Sequence, residues 1–505
     1  MTDLAGNHAE RPAVVDAGQT LTFAALDRAA DHWAAAFHCA GFGHGAHVGL
    51  LAGNSPEWLA VAFGVWRAGA TLVPISTFVT ARELAEILIH ADINALIVQP
   101  RLRTHDYLGM LPALPEVPGL RQLVVLGPAP HDYQSAVQFL RDAGTADPTP
   151  AAIDAESIAC MLYTSGTTGS PKGVQLSHRA ILATVMPTAT RSGLTRSDAL
   201  LSTLPLFWVA GLVIRALPTL AAGSTLILVE TFTADAVITA LERHRPTAIH
   251  LRPPQVGEVL GHPDFRPALL ERVRKGGGRG EWYAPHLAEA RLITGYGMTE
   301  MAGYVTALDW HDLQPLSSPP LGTPLPGVQL RIIDGAGQSC AAGEVGEVRV
   351  CGPGLFSGYY KQAPGTSLDD AGFFMTGDLG AIDAAGTFHF VGRSKELLRV
   401  KGINVSPAEV ESVLAAHPAV EAAYVVGIPP DAMEQQLVAL IVAKPGVPPT
   451  PEALHTHAAS ALSHYKRPGN YFFINRGDVV LSATSKPQRA ALVELVMRRL
   501  PVRQG

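Results

Sequence analysis

Tyr163-Thr164-Ser165-Gly166-Thr167-Thr168-Gly169-Ser170-Pro171-Lys172-Gly173-Val174 is the stretch on which the fold of this chain turns. An apolar run from Ile158 to Tyr163 leads into it, and the stretch holds two Ser, three Thr, three Gly and one Lys. Backbone without Cβ atoms approaches an anion closely, and hydroxyls with one ammonium add donors, so the chemistry points to a polyphosphate. The spacing is not that of the common P-loop, Gly-x-x-x-x-Gly-Lys-Ser/Thr. Where that loop needs its second Gly this chain has Pro171, and Lys172 is followed by Gly173. A plain Gly/Ser surface loop is the competing reading, and it explains neither the single Lys nor the hydroxyls on both sides of Gly166.

Four further stretches follow in order: Gly295-Tyr296-Gly297-Met298-Thr299-Glu300, Thr376-Gly377-Asp378-Leu379, Gly392-Arg393-Ser394-Lys395-Glu396 running into Lys401-Gly402-Ile403-Asn404, and Thr484-Ser485-Lys486. Together with the opening stretch they resemble the motifs of the adenylate-forming superfamily, in its order and at its usual separations. That superfamily includes acyl-CoA and aryl-CoA synthetases, peptide-synthetase adenylation domains and firefly luciferases. The N-terminal third is similar to it as well, through Leu21-Thr22-Phe23, Val48-Gly49-Leu50 and Asn54-Ser55-Pro56-Glu57-Trp58. The resemblance covers essentially the whole chain.

Composition sets independent bounds. A chain of 505 residues exceeds one ordinary core, so at least two domains are expected. With 47% hydrophobic and 16% charged residues it reads as a globular enzyme. A formal charge of −6 offers no general attraction to nucleic acid or anionic lipid. Four cysteines without C-x-x-C spacing suit reduced thiols and a cytoplasmic setting. Residues 1–20 hold no apolar signal segment, and the apolar runs are broken by Arg, Gly or Pro before reaching membrane-spanning length.

The first two-thirds alternate short β-rich runs with helical patterns. Thr22 is placed to cap a helix to about His38, and Ser55 one that carries Trp58, Phe63 and Trp66. Val48–Ala52, Ala95–Val98, Leu123–Leu126, Leu200–Leu204, Thr225–Val229 and Ala248–Leu251 read as buried strands. Helices between them argue for largely parallel α/β sheets. Residues 127–156 read as a surface connection. From Gly327 to Gly392 short strands separated by Gly, Asp and Pro indicate a β-rich subdomain. A compact α+β pattern follows, with a helix from Pro407, strands near Tyr424 and Leu440, and a terminal helix from Gln488. The fold class is therefore α/β, and the resemblance divides it into residues 1–392, which bind AMP and the acyl group, and a mobile C-terminal domain, 393–505.

The resemblance implies a reaction and assigns its parts. Carboxylate is a poor electrophile, and attack on the α-phosphorus of ATP converts it to an acyl-adenylate. The nucleophile is already an anion, so the protein must supply positive charge and positioning rather than a base. Thr164, Ser165, Gly166, Thr167, Thr168 and Lys172 would surround the β- and γ-phosphates. Glu300 would hold Mg2+, Thr299 would bond the α-phosphate, and Tyr296, between Gly295 and Gly297, would stack on adenine. Asp378 and Arg393 would take the ribose hydroxyls. Lys486 would bridge the attacking carboxylate and the α-phosphate oxygens. For the thiol step Lys395 is the implied hinge and Gly402 the residue lining the CoA tunnel, with Arg399 at a position often basic in relatives.

Two departures fall on the acid's side. Trp208, in Pro205-Leu206-Phe207-Trp208-Val209-Ala210-Gly211, takes a position where many relatives have His, and it cannot titrate. Lys275-Gly276-Gly277-Gly278-Arg279-Gly280 places Arg279 where relatives have apolar residues or Pro, beside Gly277 at the acyl pocket. His250 and Arg252 lie on a strand that borders the same pocket in relatives. The expected activity is an AMP-forming acyl- or aryl-CoA synthetase using ATP, CoA and a fatty, aryl, polycyclic or dicarboxylic acid. The alternative is a free-standing enzyme that loads a carrier protein. A homodimer is common among relatives, and neither nucleic acid nor a transmembrane segment is expected.

Overall fold

The computed structural model describes residues 2–144, 153–164, 172–277, 291–311, 321–363, 365–400, 403–428, 435–446, 448–462, 464–481 and 487–499. By internal contacts the chain forms two units, one of Met1–Leu330 with Val350–Phe374 and the other of Arg331–Arg349 with Met375–Gly505.

Two open sheets organise the first unit. In one, the strand order is Gly358–Tyr359, Lys172–Ser177, Ile158–Thr164, Thr71–Pro74, His47–Leu51, Ala95–Val98, Gln122–Val125 and Gln134–Ser135. Every pair from Ile158–Thr164 onward is parallel, and the two strands at the other end run antiparallel. The second sheet runs Arg291–Ile293, Lys275–Gly277, Ala248–His250, Ala199–Ser202, Thr225–Leu228, Pro12–Val15 and Thr20–Thr22, all parallel but for the last pair. Strands such as Ala95–Val98 and Thr71–Pro74 are buried at every residue, as sheets covered by helices on both faces require.

The helix signals are local and hold. Thr22 Oγ1 accepts from Ala25 N at 3.1 Å to open helix Phe23–Cys39, and Ser55 Oγ accepts from Trp58 N at 3.1 Å to open Pro56–Arg67. One expectation is corrected. Within the supposed surface connection 127–156, Ser135 caps a helix, Ala136–Asp142. Its Phe139 is 4% exposed and packs 5.9 Å from Trp33 and 5.7 Å from Phe37, ring to ring. The helix is ordered by that distant aromatic face, which the Pro- and Asp-rich composition of the segment conceals.

The second unit contains a three-stranded sheet of Val420–Ile428, Gln436–Ala443 and Asn470–Phe473. Alternation along Val420–Ile428 buries both of its faces. Val425 joins a cluster with Val410, Leu414, Leu454 and Ala458, from helices Pro407–Ala415 and Pro451–Ala461. Val426 and Ile428 pack with Leu492 and Val496 of the terminal helix Arg489–Arg499. A four-stranded sheet, Gln329–Ile333, Gly346–Cys351, Phe374–Ile382 and Phe388–Arg393, accounts for the expected β-rich subdomain. Among the described residues, no helix is long and apolar enough to cross a membrane, and all four cysteines are free.

Candidate active site

Thr164 ends strand Ile158–Thr164, Lys172 begins Lys172–Ser177, and the two are cross-strand partners. The described ends of the opening stretch therefore lie on two adjacent antiparallel strands. Ser165, Gly166, Thr167 and Thr168 lie outside the described residues. Outside that strand pair, Tyr359 pairs with Val174 and Gly358 with Gln175. This register sets the Lys172 ammonium 4.9 Å from the centre of the Tyr359 ring. The same tyrosine donates its hydroxyl to Glu300 Oε1 at 2.8 Å. Glu300 is held in turn by its backbone, whose carbonyl accepts from Phe356 N at 2.8 Å.

Thr299 and Glu300 sit on a short 3-10 turn, Thr299–Met301, that follows strand Gly295–Met298. The glycines on either side of Tyr296 have a requirement inside the fold. A Cβ on Gly295 would overlap the carbonyl oxygen of Thr306, and one on Gly297 the carbonyl oxygen of Gly303, so the hairpin with Gly303–Ala307 closes only with Gly at both places. Tyr296 itself is 7% exposed.

In the second unit Asp378 and Arg393 are cross-strand partners, with Arg393 Nε 2.8 Å from Asp378 Oδ1 and the Asp378 side chain 4% exposed. Thr376 Oγ1 accepts from Asp378 N at 3.0 Å and donates to Val348 O at 2.7 Å, which fixes the strand segment that presents the carboxylate. Lys395 lies in a 3-10 turn, Ser394–Glu396. Gly402 and Lys486 lie outside the described residues, as does Arg279.

Trp208 precedes a single helical turn, Val209–Gly211, and a π-helical turn, Leu212–Ala216. Its ring lies 5.5 Å from Phe207 and 6.3 Å from Phe78, with the Arg252 guanidinium 5.7 Å over its face. Gly277 ends its strand opposite His250.

This strand pair, turn and paired Asp–Arg carry the motifs of a nucleotide-activating enzyme, and comparison with known proteins places the chain. The AMP-binding enzyme family matches residues 2–360, and the AMP-binding enzyme C-terminal domain matches 409–486. The chain belongs to that family.

A feruloyl-CoA synthase from Amycolatopsis sp is 31% identical, covering 92% of each chain. An indoleacetate–CoA ligase from Aromatoleum aromaticum is 30% identical over 95% of this chain and 94% of its own. Among solved structures, the anthranilate CoA ligase AuaEII in complex with anthranoyl-AMP superposes with a TM-score of 0.88 at 27% identity, covering 98% of this chain and 97% of that one.

Family motifs did not single out Tyr359. Tyr359 touches Lys172 and Glu300, residues 187 and 59 positions away in a separation that no local pattern reports.

Proposed function

We propose that the protein is an AMP-forming acid–thiol ligase that activates an aromatic carboxylic acid with ATP and transfers the acyl group to coenzyme A. The carboxylate attacks the α-phosphorus, forming acyl-AMP and releasing pyrophosphate. The CoA thiol then attacks the acyl carbon, and AMP leaves with the electron pair. The observation that carries this reading is Lys172 and Glu300 held on either side of Tyr359, in a chain whose two parts both match the family.

In this reading Thr164 to Lys172 hold the β- and γ-phosphates, Thr299 the α-phosphate, Tyr296 the adenine, and Asp378 with Arg393 the ribose. Lys486 serves the first step. Lys395 is the hinge and Gly402 lines the thiol's path in the second, with the mobile domain beginning near residue 393. Among the described residues no cage of three or more His, Cys, Asp or Glu side chains exists. One carboxylate suits Mg2+, which keeps several waters and takes phosphate oxygens for its other positions. Glu300 fits that role, and the ion would offset charge on the phosphates. The acid is read as aromatic because the rings of Phe78, Phe207 and Trp208 lie 5.5–6.3 Å from one another, and because the relatives named above are a feruloyl-CoA synthase and an indoleacetate–CoA ligase. A soluble cytoplasmic homodimer completes the proposal.

Thioester and AMP measured across fatty, aryl, polycyclic and dicarboxylic acids test it. Equal amounts of both products from an aryl acid are expected. AMP without thioester from any acid would instead indicate carrier loading.

Tyr359→Phe isolates one contact, because it keeps the ring under Lys172 and removes the hydroxyl from Glu300. A hydrogen bond to a charged group contributes about 1.5–3 kcal/mol, so kcat/KM for ATP should fall about tenfold or more. The Mg2+ concentration at half-saturation of ATP binding, followed by calorimetry, should rise with it. Unchanged Mg2+ dependence would show that Tyr359 only packs.

A further inference from the structure

One side-chain bond joins helix Ala81–His90 to the strand that ends in Thr164. His90 Nδ1 lies 2.6 Å from the Tyr163 hydroxyl, and the two rings stand edge to face with centres 5.7 Å apart. Burial pushes the Tyr163 phenol up and the His90 imidazole down from their usual pKa values, so at pH 7 the bond joins two neutral groups. A tyrosine hydroxyl withdrawn from water needs a partner, and among the described residues His90 supplies it. Tyr163 is also the cross-strand partner of Gly173, and its ring lies against that glycine. A Cβ on Gly173 would stand 3.4 Å from Tyr163 Cζ and 2.9 Å from Met161 Sδ.

The neighbouring strand is held from the same helix end. Tyr360 donates its amide to Gly173 O at 2.8 Å and its hydroxyl to Asp92 Oδ2 at 2.8 Å, and Lys361 donates Nζ to Asp92 Oδ1 at 3.0 Å. Asp92 and Lys361 both adopt left-handed backbone, with φ of 47° and 60°. Glycine is the usual residue in that conformation just past a helix, and the carboxylate that joins Tyr360 and Lys361 gives a reason for aspartate there. His47 donates Nδ1 to Ala91 O at 2.6 Å, with its ring 5.3 Å from Tyr360. The segment from His90 to Asp92 thus grips Tyr163, the neighbour of Thr164, and Tyr360, whose amide grips Gly173, the neighbour of Lys172.

We propose that His90 is a positioning residue for the β- and γ-phosphates of ATP, acting through Tyr163, with Asp92 acting through Tyr360 on the strand that begins with Lys172. This rests on the ligase reading, in which Thr164 and Lys172 hold those phosphates, and it adds residues that touch no substrate. Donors to a polyphosphate act most strongly when their positions are fixed before the nucleotide arrives. The competing role for His90 and Tyr163 is to wall the cavity of about 800 Å3 that they line with Arg82, Leu114 and Lys361. The two roles differ in what they predict for ATP and for AMP, which lacks both phosphates.

Calorimetric titration of the full-length protein with MgATP and with AMP makes the test. His90→Ala is expected to weaken MgATP binding about three- to tenfold, the range of one neutral hydrogen bond, and to leave AMP binding unchanged. Because His90 borders an open cavity, the substitution leaves no closed void and the variant should fold. Tyr163→Phe keeps the ring, removes the hydroxyl and should show the same selective loss, and the double variant should lose no more than either single one. His90→Asn, with a side-chain amide near the place of Nδ1, should recover most of the affinity. Unchanged MgATP binding in either single variant, or equal loss for MgATP and AMP, overturns the inference and leaves the ligase reading standing. A parent protein that binds neither nucleotide overturns both.

Discussion

Replacing Lys486 with alanine is expected to lower acyl-adenylate formation about 10²–10³-fold while largely sparing thioester formation from supplied acyl-adenylate. The asymmetry follows from where charge sits in each step. In the first, a carboxylate approaches a phosphate that is itself anionic, and negative charge concentrates on the carboxylate and α-phosphate oxygens. An ammonium that bridges these oxygens offsets the repulsion where it is greatest. In the second, the carboxylate has become a neutral acyl carbon, and the thiol meets a good leaving group. ATP–pyrophosphate exchange measures the first step, and thioester formation from synthetic acyl-AMP the second. Equal loss of both would contradict the role assigned to Lys486 and would point to a general disturbance of the C-terminal domain.

Asp198→Asn is expected to destabilise the first unit by about 3–5 kcal/mol, the cost of leaving a buried cation without its partner. The Asp198 side chain is fully buried at the start of strand Ala199–Ser202. Lys275 Nζ lies 2.7 Å from Oδ2 and is itself 4% exposed, and Arg274 Nη2 lies 2.8 Å from Oδ1. Thr247 Oγ1 donates to Oδ1 at 2.8 Å, and Thr195 N to Oδ2 at 2.9 Å. Burial alone would raise the carboxyl pKa, but the hydrogen bonds from Lys275, Arg274 and Thr247 prevail and hold it far below the usual carboxylate range. Stability from this group is therefore present above the unfolded carboxylate pKa of about 4 and is lost as pH falls below it. Asparagine preserves the volume and removes the charge that the Lys275 ammonium needs. Thermal unfolding at pH 7 should show a fall on the order of 10 °C. The variant should also lose less stability than the parent between pH 5 and pH 2. A variant that unfolds at the parent's temperature at pH 7 would show that Lys275 has been neutralised or repaired by other groups.

The parts of the fold that were legible in advance are those governed by neighbours in the chain. Thr22 and Ser55 cap their helices because the side chain and the amide it satisfies are three residues apart. The strands Ala95–Val98 and Ala248–His250 announce themselves as short apolar runs because both faces of a parallel sheet are covered. The helix Ala136–Asp142 did not, because its stability comes from Phe139 lying against Trp33 and Phe37, about a hundred residues back. Gly295 and Gly297 were legible as a demand for small residues but not for its source. They admit the partner strand Gly303–Ala307, whatever they also allow a nucleotide to do.

By itself, the sequence determined the reaction class. The opening stretch alone pointed to a polyphosphate, and its resemblance, with four further stretches, to the motifs of adenylate-forming enzymes implied the reaction, since each motif is contiguous in the chain. Tertiary structure alone decided which of these residues act on one another. The pairing of Gly358–Tyr359 with Lys172–Ser177 brings Tyr359 against both Lys172 and Glu300. The parallel pairing of the second sheet sets Ser202 opposite His250 and His250 opposite Gly277. The physical reason is range. Backbone chemistry and periodicity act over a few residues, whereas charge, burial and ring contacts depend on distances that only the folded chain sets.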